Sequence, residues 1–257
     1  MRYKRLYTFG CSFTKWYWPC WPEIIAHDTG LPFENWGASA AGNVGIANRM
    51  LECDLHNKLT QDDLILVCWS TFCREDRFFD GDGTGWYFAG NIHNNQKLYN
   101  EEWRKKYWSS SNDIIKNMHS IITARRSFPI DFEAQIIEEL GSESFSNYNQ
   151  KVYDFYKPYF PNRFFPWDTS YQHPFNDYAN TMDGHPDIEA HLKFVTDCIY
   201  PNIGLTIKES TVNYFMQQQK YIIDMPKPKF KKFTELRQWF EQISHFRNKA
   251  VGVYSDH

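Results

Sequence analysis

The first seventy residues switch between two hydrophobic patterns. Lys4-Arg5-Leu6-Tyr7-Thr8-Phe9 is short and rich in aromatic and β-branched residues, which predicts a buried strand. Gly10-Cys11-Ser12-Phe13-Thr14 and a Trp- and Pro-rich loop follow, and Pro22-Glu23-Ile24-Ile25-Ala26 predicts a helix with proline near its first turn. Residues 32–36 read as a second strand that runs into Gly37-Ala38-Ser39-Ala40-Ala41-Gly42-Asn43, small residues that let backbone approach a ligand closely. Ala47, Leu51 and Leu55, flanked by Val44 and Met50, repeat with helical period and predict the core face of a second helix. Leu64 to Trp69 is a continuous apolar run, as in a central parallel strand. The order β-α-β-α-β predicts an α/β fold, a three-layer α/β/α sandwich with a parallel central sheet.

From Glu75 the pattern breaks, and the stretch to about residue 180 reads as an insertion, irregular as far as Asn112. Within it, Asp80-Gly81-Asp82-Gly83-Thr84-Gly85 lacks the final ligand of a calcium loop and reads as a turn. Helices are predicted at Ile114, Met118, Ile121 and Ile122, and again at Phe132, Ile136, Ile137 and Leu140. The aromatic, proline-rich run from Tyr153 to Phe175 predicts a long loop or lid over a pocket. Ile188, Leu192, Val195 and Ile199 mark one amphipathic helix. The expected organisation is an α/β domain over 1–200 and a C-terminal helical extension over 201–257, suited to packing or oligomerisation. That extension holds a solvated basic run, Lys227 to Lys232, and a last helix at Phe233, Leu236, Phe240 and Ile243.

Composition narrows the class. The chain has 257 residues, long enough for one full α/β core, with 42% hydrophobic and 23% charged residues. Aromatics reach 18%, which suits stacking on sugar rings, packing against a partner, or an aromatic core. A net charge of −3 gives no broad attraction to nucleic acid. The six cysteines lack metal-ligand spacing and read as reduced and buried, so no metal site is expected from them. No apolar run spans a membrane, and no signal-peptide pattern opens the chain. Cytoplasmic synthesis is expected, with the final location open and a virion among the options.

Ser12 stands where a strand ends and the chain turns, the place where open α/β sheets bind ligands. A serine there can also serve only as a cap. Acyl transfer needs a hydroxyl nucleophile, a base, a carboxylate to orient it and donors for the oxyanion. Ser12, His185 and Asp183 can fill the first three roles, with Asp183 two residues before the histidine. His173 is a rival base without an acid at fixed spacing, and His191 is expected to be exposed. His27 and His56 end helical segments and suit the helix dipole. Cys11, adjacent on the strand end, is expected to point away.

These motifs, in this order, resemble the SGNH (GDSL-like) hydrolases, in the divergent form associated with phages and bacteria. Gly10-Cys11-Ser12-Phe13-Thr14 is similar to the block that carries the nucleophile. Asn35-Trp36-Gly37-Ala38-Ser39-Ala40 is similar to the block that supplies an oxyanion N–H, with Ala40 where glycine is usual. The asparagine donor of the third block is missing, since Trp69-Ser70-Thr71-Phe72 stands there; Asn43, Ser70 and Thr71 are the candidates to replace it. Asp183-Gly184-His185-Pro186 resembles the last block with one residue fewer between acid and base. The resemblance spans residues 1–75 and 180–200. It implies a cofactor-independent serine esterase that removes acyl groups, acetyl above all, from a carbohydrate or other small ester. Two alternatives stay open: an inactive scaffold for binding or assembly, such as a phage structural or glycan-binding protein, and an O-acyltransferase using the same site.

Overall fold

The structure, a computed structural model, describes residues 2–79, 85–93, 99–135, 150–159 and 185–223. Four strands form an all-parallel sheet: β1 (Arg5–Gly10), β2 (Phe33–Asn35), β3 (Asp63–Trp69) and β6 (Phe132–Gln135). Their order is β2-β1-β3-β6, with Gly10 level with Cys68 and Trp69 level with Gln135. Chain direction across the sheet reverses between β1 and β3, the switch point at which such sheets open a crevice beyond their C-terminal ends. Every residue of β3 is buried, in keeping with its unbroken apolar run.

Helices cover both faces. On one, α2 (Asn43–Asn57) packs on α4 (Ser110–Ser127). On the other lie α1 (Trp21–Thr29), α6 (Ile188–Phe194) and α8 (Glu209–Ile223). A hairpin of β4 (Arg74–Phe79) and β5 (Gly85–Asn91) forms a separate antiparallel sheet. Beside it α3 (Glu101–Tyr107) contributes Trp103 to a small second core with Cys73, Ile92 and Tyr99.

Several expectations are corrected. Leu51 and Leu55 of α2 face outward, 49% and 73% exposed. The buried face carries Asn43, Ile46, Arg49, Met50 and Cys53, because Asn43 and the Arg49 Nε are satisfied by hydrogen bonds inside the protein. Periodicity of apolar residues cannot register a polar side chain buried in that way. Phe132 lies in a sheet strand and not in a helix, so the stretch read as an insertion contains β6 of the main sheet. A four-residue strand carries too little pattern to separate it from a helix. Residues 150–159, at the start of the expected lid, are helical: α5 (Gln150–Tyr156) and one 3₁₀ turn.

The helix after Pro186 changes pitch, passing through a π segment at Val195–Ile199 into α7 (Tyr200–Ile203). The C-terminal helix α8 shares the main core, where Phe215 is fully buried. The Asp80–Gly85 turn short of Gly85, the helix expected beyond Gln135, residues 160–175, His173, Asp183 and everything after Ile223 lie outside the described residues. No helix among those described is long and apolar enough to cross a membrane.

Candidate active site

Because β1, β2 and β3 run parallel, the segments that follow them emerge at one edge of the sheet. That edge gathers Ser12, Ala40, Asn43, Ser70 and Thr71. Ser12 is 5% exposed, in a tight turn closed by the N–H groups of Thr14 and Lys15 donating to the Cys11 carbonyl at 2.9 and 3.2 Å. Gly10 is required by close approach: a Cβ there would lie 2.0 Å from Thr14 Oγ1 and 2.8 Å from the Cys68 carbonyl oxygen. Cys11 is wholly buried, and all six cysteines are buried and free of disulfides.

The turn after β2 is tied to this loop. Asn35 donates to the Thr14 carbonyl at 2.8 Å and to Glu23 Oε1 at 3.0 Å, and it accepts from the Gly37 N–H at 2.9 Å. Ala38 N–H donates to the Gly10 carbonyl at 3.0 Å. Two residues on, Ala40 has φ of 64°, a left-handed conformation that glycine enters without cost and alanine does not. Alanine here takes up a backbone conformation usual for glycine. Among the described residues neither the Ser12 nor the Ala40 N–H donates to a backbone carbonyl.

The third candidate group is divided. Asn43 donates to the Ser70 carbonyl at 2.9 Å and to Asn117 Oδ1 at 2.8 Å, and it accepts from the Ser70 N–H at 2.7 Å. Both of its amide protons are engaged, so it clamps α2 to the end of β3. Asn117 extends the clamp through the carbonyls of Phe72 and Asp113, at 3.0 and 2.7 Å. Thr71 Oγ1 lies 3.6 Å from Cys73 Sγ, and Ser70 is fully buried at the strand end.

His185 comes to the same loop from a distant part of the sequence. Its ring stacks on Trp16, centroids 3.6 Å apart and 15° between planes, and meets Phe13 edge-on at 5.6 Å. Trp18 Nε1 donates to the Pro186 carbonyl at 2.8 Å, fixing the backbone beside it. The Nδ1 edge of His185 is shielded from solvent. No hydrogen bond joins Ser12 Oγ to His185. His191 is 1% exposed, a correction to the expected surface position. Burial, with His185 close by as a second cause, drives its pKa down to about 3, so it stays neutral at physiological pH. Both rings against His185 are aromatic, and nothing in a single sequence links Trp16 to a residue so distant; the Trp-rich composition of the loop is the one signal that points there.

Sequence reasoning also missed Asp76, on β4. It accepts from the Gly42 N–H at 2.8 Å and the Gly45 N–H at 2.7 Å. The small-residue run thus admits this carboxylate and Phe88, whose Cε1 would lie 2.5 Å from a Cβ on Gly45. Burial raises the Asp76 pKa to about 6, outweighing both N–H donors and Arg74. Among the described residues no three His, Cys, Asp or Glu side chains converge as metal ligands. No protein-family model matches the chain, and no curated protein matches it.

Proposed function

We propose that the chain is a serine esterase of the SGNH type, acting on acyl esters, acetyl esters of carbohydrates first among them. The observation that carries the reading is the grip of the Ser12 loop on His185 through Phe13 and Trp16, at the C-terminal edge of a parallel sheet. In this reading Ser12 Oγ adds to the ester carbonyl carbon while its proton passes to His185. Asp183 orients the imidazole. The oxyanion is held by the N–H groups of Ser12 and Ala40, with a hydroxyl from Ser70 or Thr71 as third donor; one such donor is worth about 2.7–4 kcal/mol. The carbonyl–alkoxy bond then breaks as His185 returns the proton to the leaving oxygen, and water repeats the sequence on the acyl-serine. The serine–histidine hydrogen bond forms when substrate enters, since catalytic hydrogen bonds are often long without it.

The second reading, an inactive binding scaffold, is favoured by one observation: Asn43, the asparagine among the candidate donors, has both amide protons engaged in structure. Turnover of an aryl acetate separates the two. The esterase reading expects hydrolysis that vanishes in Ser12→Ala and falls by about 10⁴ in Asp183→Asn, by analogy with serine proteases. Equal rates for unmutated protein and Ser12→Ala would leave the scaffold.

A further inference from the structure

We propose that the β4–β5 hairpin is a positioning clamp for the oxyanion turn, with Asp76 and Arg74 holding residues 41–45 so that Ala40 stays left-handed and its N–H keeps one direction. The catalytic meaning of the clamp rests on the esterase reading; its conformational content does not. Four contacts carry it. Asp76 accepts from the N–H groups of Gly42 and Gly45, at 2.8 and 2.7 Å. Arg74 Nη1 donates to the Ala41 carbonyl at 3.3 Å. Gly90 of β5 lies against Ala40, close enough that a Cβ on the glycine would sit 3.5 Å from the alanine methyl. Thus the hairpin touches the turn at 40, 41, 42 and 45, from both of its strands.

The local sequence leaves this work to be done from outside. The α2 helix begins after Gly42, which has no side chain to cap it, so Asp76 supplies the cap from another element. Ala40, two residues earlier, sits in a conformation that a non-glycine residue keeps only when its surroundings hold it there. On its N-terminal side the turn is tied by Ala38 N–H to Gly10 and by Ala41 N–H to the Ala38 carbonyl at 3.2 Å. On its C-terminal side the ties are Asp76 and Arg74. Removing the latter frees Ala40 to relax toward negative φ, which swings its N–H away. Asp76 is therefore a positioning residue and touches no reacting atom.

The test uses the full chain with Asp76→Ala, Asp76→Asn and Ala40→Gly, alone and combined. The first readout is conformational: backbone NMR shifts of Ala40, which report its φ. In Asp76→Ala they are expected to move away from left-handed values together with those of Gly42 and Gly45, and in Asp76→Asn, which keeps one acceptor, to move part of the way. Shifts confined to Gly42 and Gly45, with Ala40 unmoved, would reduce Asp76 to a helix cap and overturn the proposal. The second readout is kcat and KM on an aryl acetate. Asp76→Ala is expected to lower kcat roughly 10- to 100-fold with little change in KM, and Ala40→Gly in that background to recover part of the loss. Failure of glycine to recover any activity would also overturn it. If the unmutated protein neither hydrolyses the ester nor is labelled at Ser12, the esterase reading fails, and the NMR readout still decides the clamp. Should Asp76→Ala not fold, Asp76→Asn carries both readouts.

Discussion

At the scale of single residues, the candidate site depends on side chains that do something other than their type suggests. Ala40 performs the backbone role of a glycine, at a cost of about 1–2 kcal/mol for the left-handed conformation. Asn43, which sequence alone offers as an oxyanion donor, instead joins two elements: it ties Ser70, just after β3, to the start of α2. Asn43→Ala would leave the Ser70 N–H and carbonyl and the Asn117 amide oxygen without that partner in a buried place. Each such loss costs about 1–3 kcal/mol, so the variant is expected to lose several kcal/mol in urea denaturation. A loss within about 0.5 kcal/mol, the range of an ordinary surface substitution, would contradict the clamp. His191 shows a related limit of sequence reading. Its helical position was evident, but its burial, with His185 close by, comes from packing that the pattern does not encode.

At the scale of elements, the loop between β1 and α1 organises the site and the hairpin buttresses it. The first loop was legible, because a buried strand followed by Gly-x-Ser and a Pro-started helix marks a strand end without knowledge of the partners. The hairpin was not, because Arg74-Glu75-Asp76-Arg77 reads as polar and the role of Asp76 lies in a contact with residues 31 and 34 positions earlier. Asp76 also gives a pH signature. Its folded pKa of about 6 stands above the unfolded value of 3.8, so the folded state holds the proton more tightly. Its contribution to stability is full below pH 3.8 and is lost as pH rises to about 6, by an amount on the order of 3 kcal/mol. Stability of the unmutated protein relative to Asp76→Asn should therefore fall between pH 4 and pH 6 and stay level above. A difference that does not vary across that range would contradict the assignment.

At the scale of the whole molecule, the four-stranded parallel sheet and its helices follow from the apolar runs of β1 and β3 and from the β-α-β-α-β order. What the runs could not supply was β6, four residues long, and the inclusion of α8 in the main core. Phe215 on α8 is fully buried beside α1 and α6, so this helix belongs to the cooperative unit. Phe215→Ala is expected to cost about 3–5 kcal/mol and to lower the midpoint of a single unfolding transition. An early separate transition for α8, with the rest unchanged, would show it to be an appendage. The same long-range packing brings His185 against Phe13 and Trp16 of the loop that carries Ser12, and the pairing of Ser12 with His185 is what the proposed function rests on. It is tested most directly by reacting the folded protein with a fluorophosphonate probe and locating the adduct by peptide mass spectrometry. One phosphonylated residue, Ser12, is expected, with labelling lost in His185→Ala; no adduct at Ser12 in folded protein, or labelling indifferent to His185, would contradict the pairing.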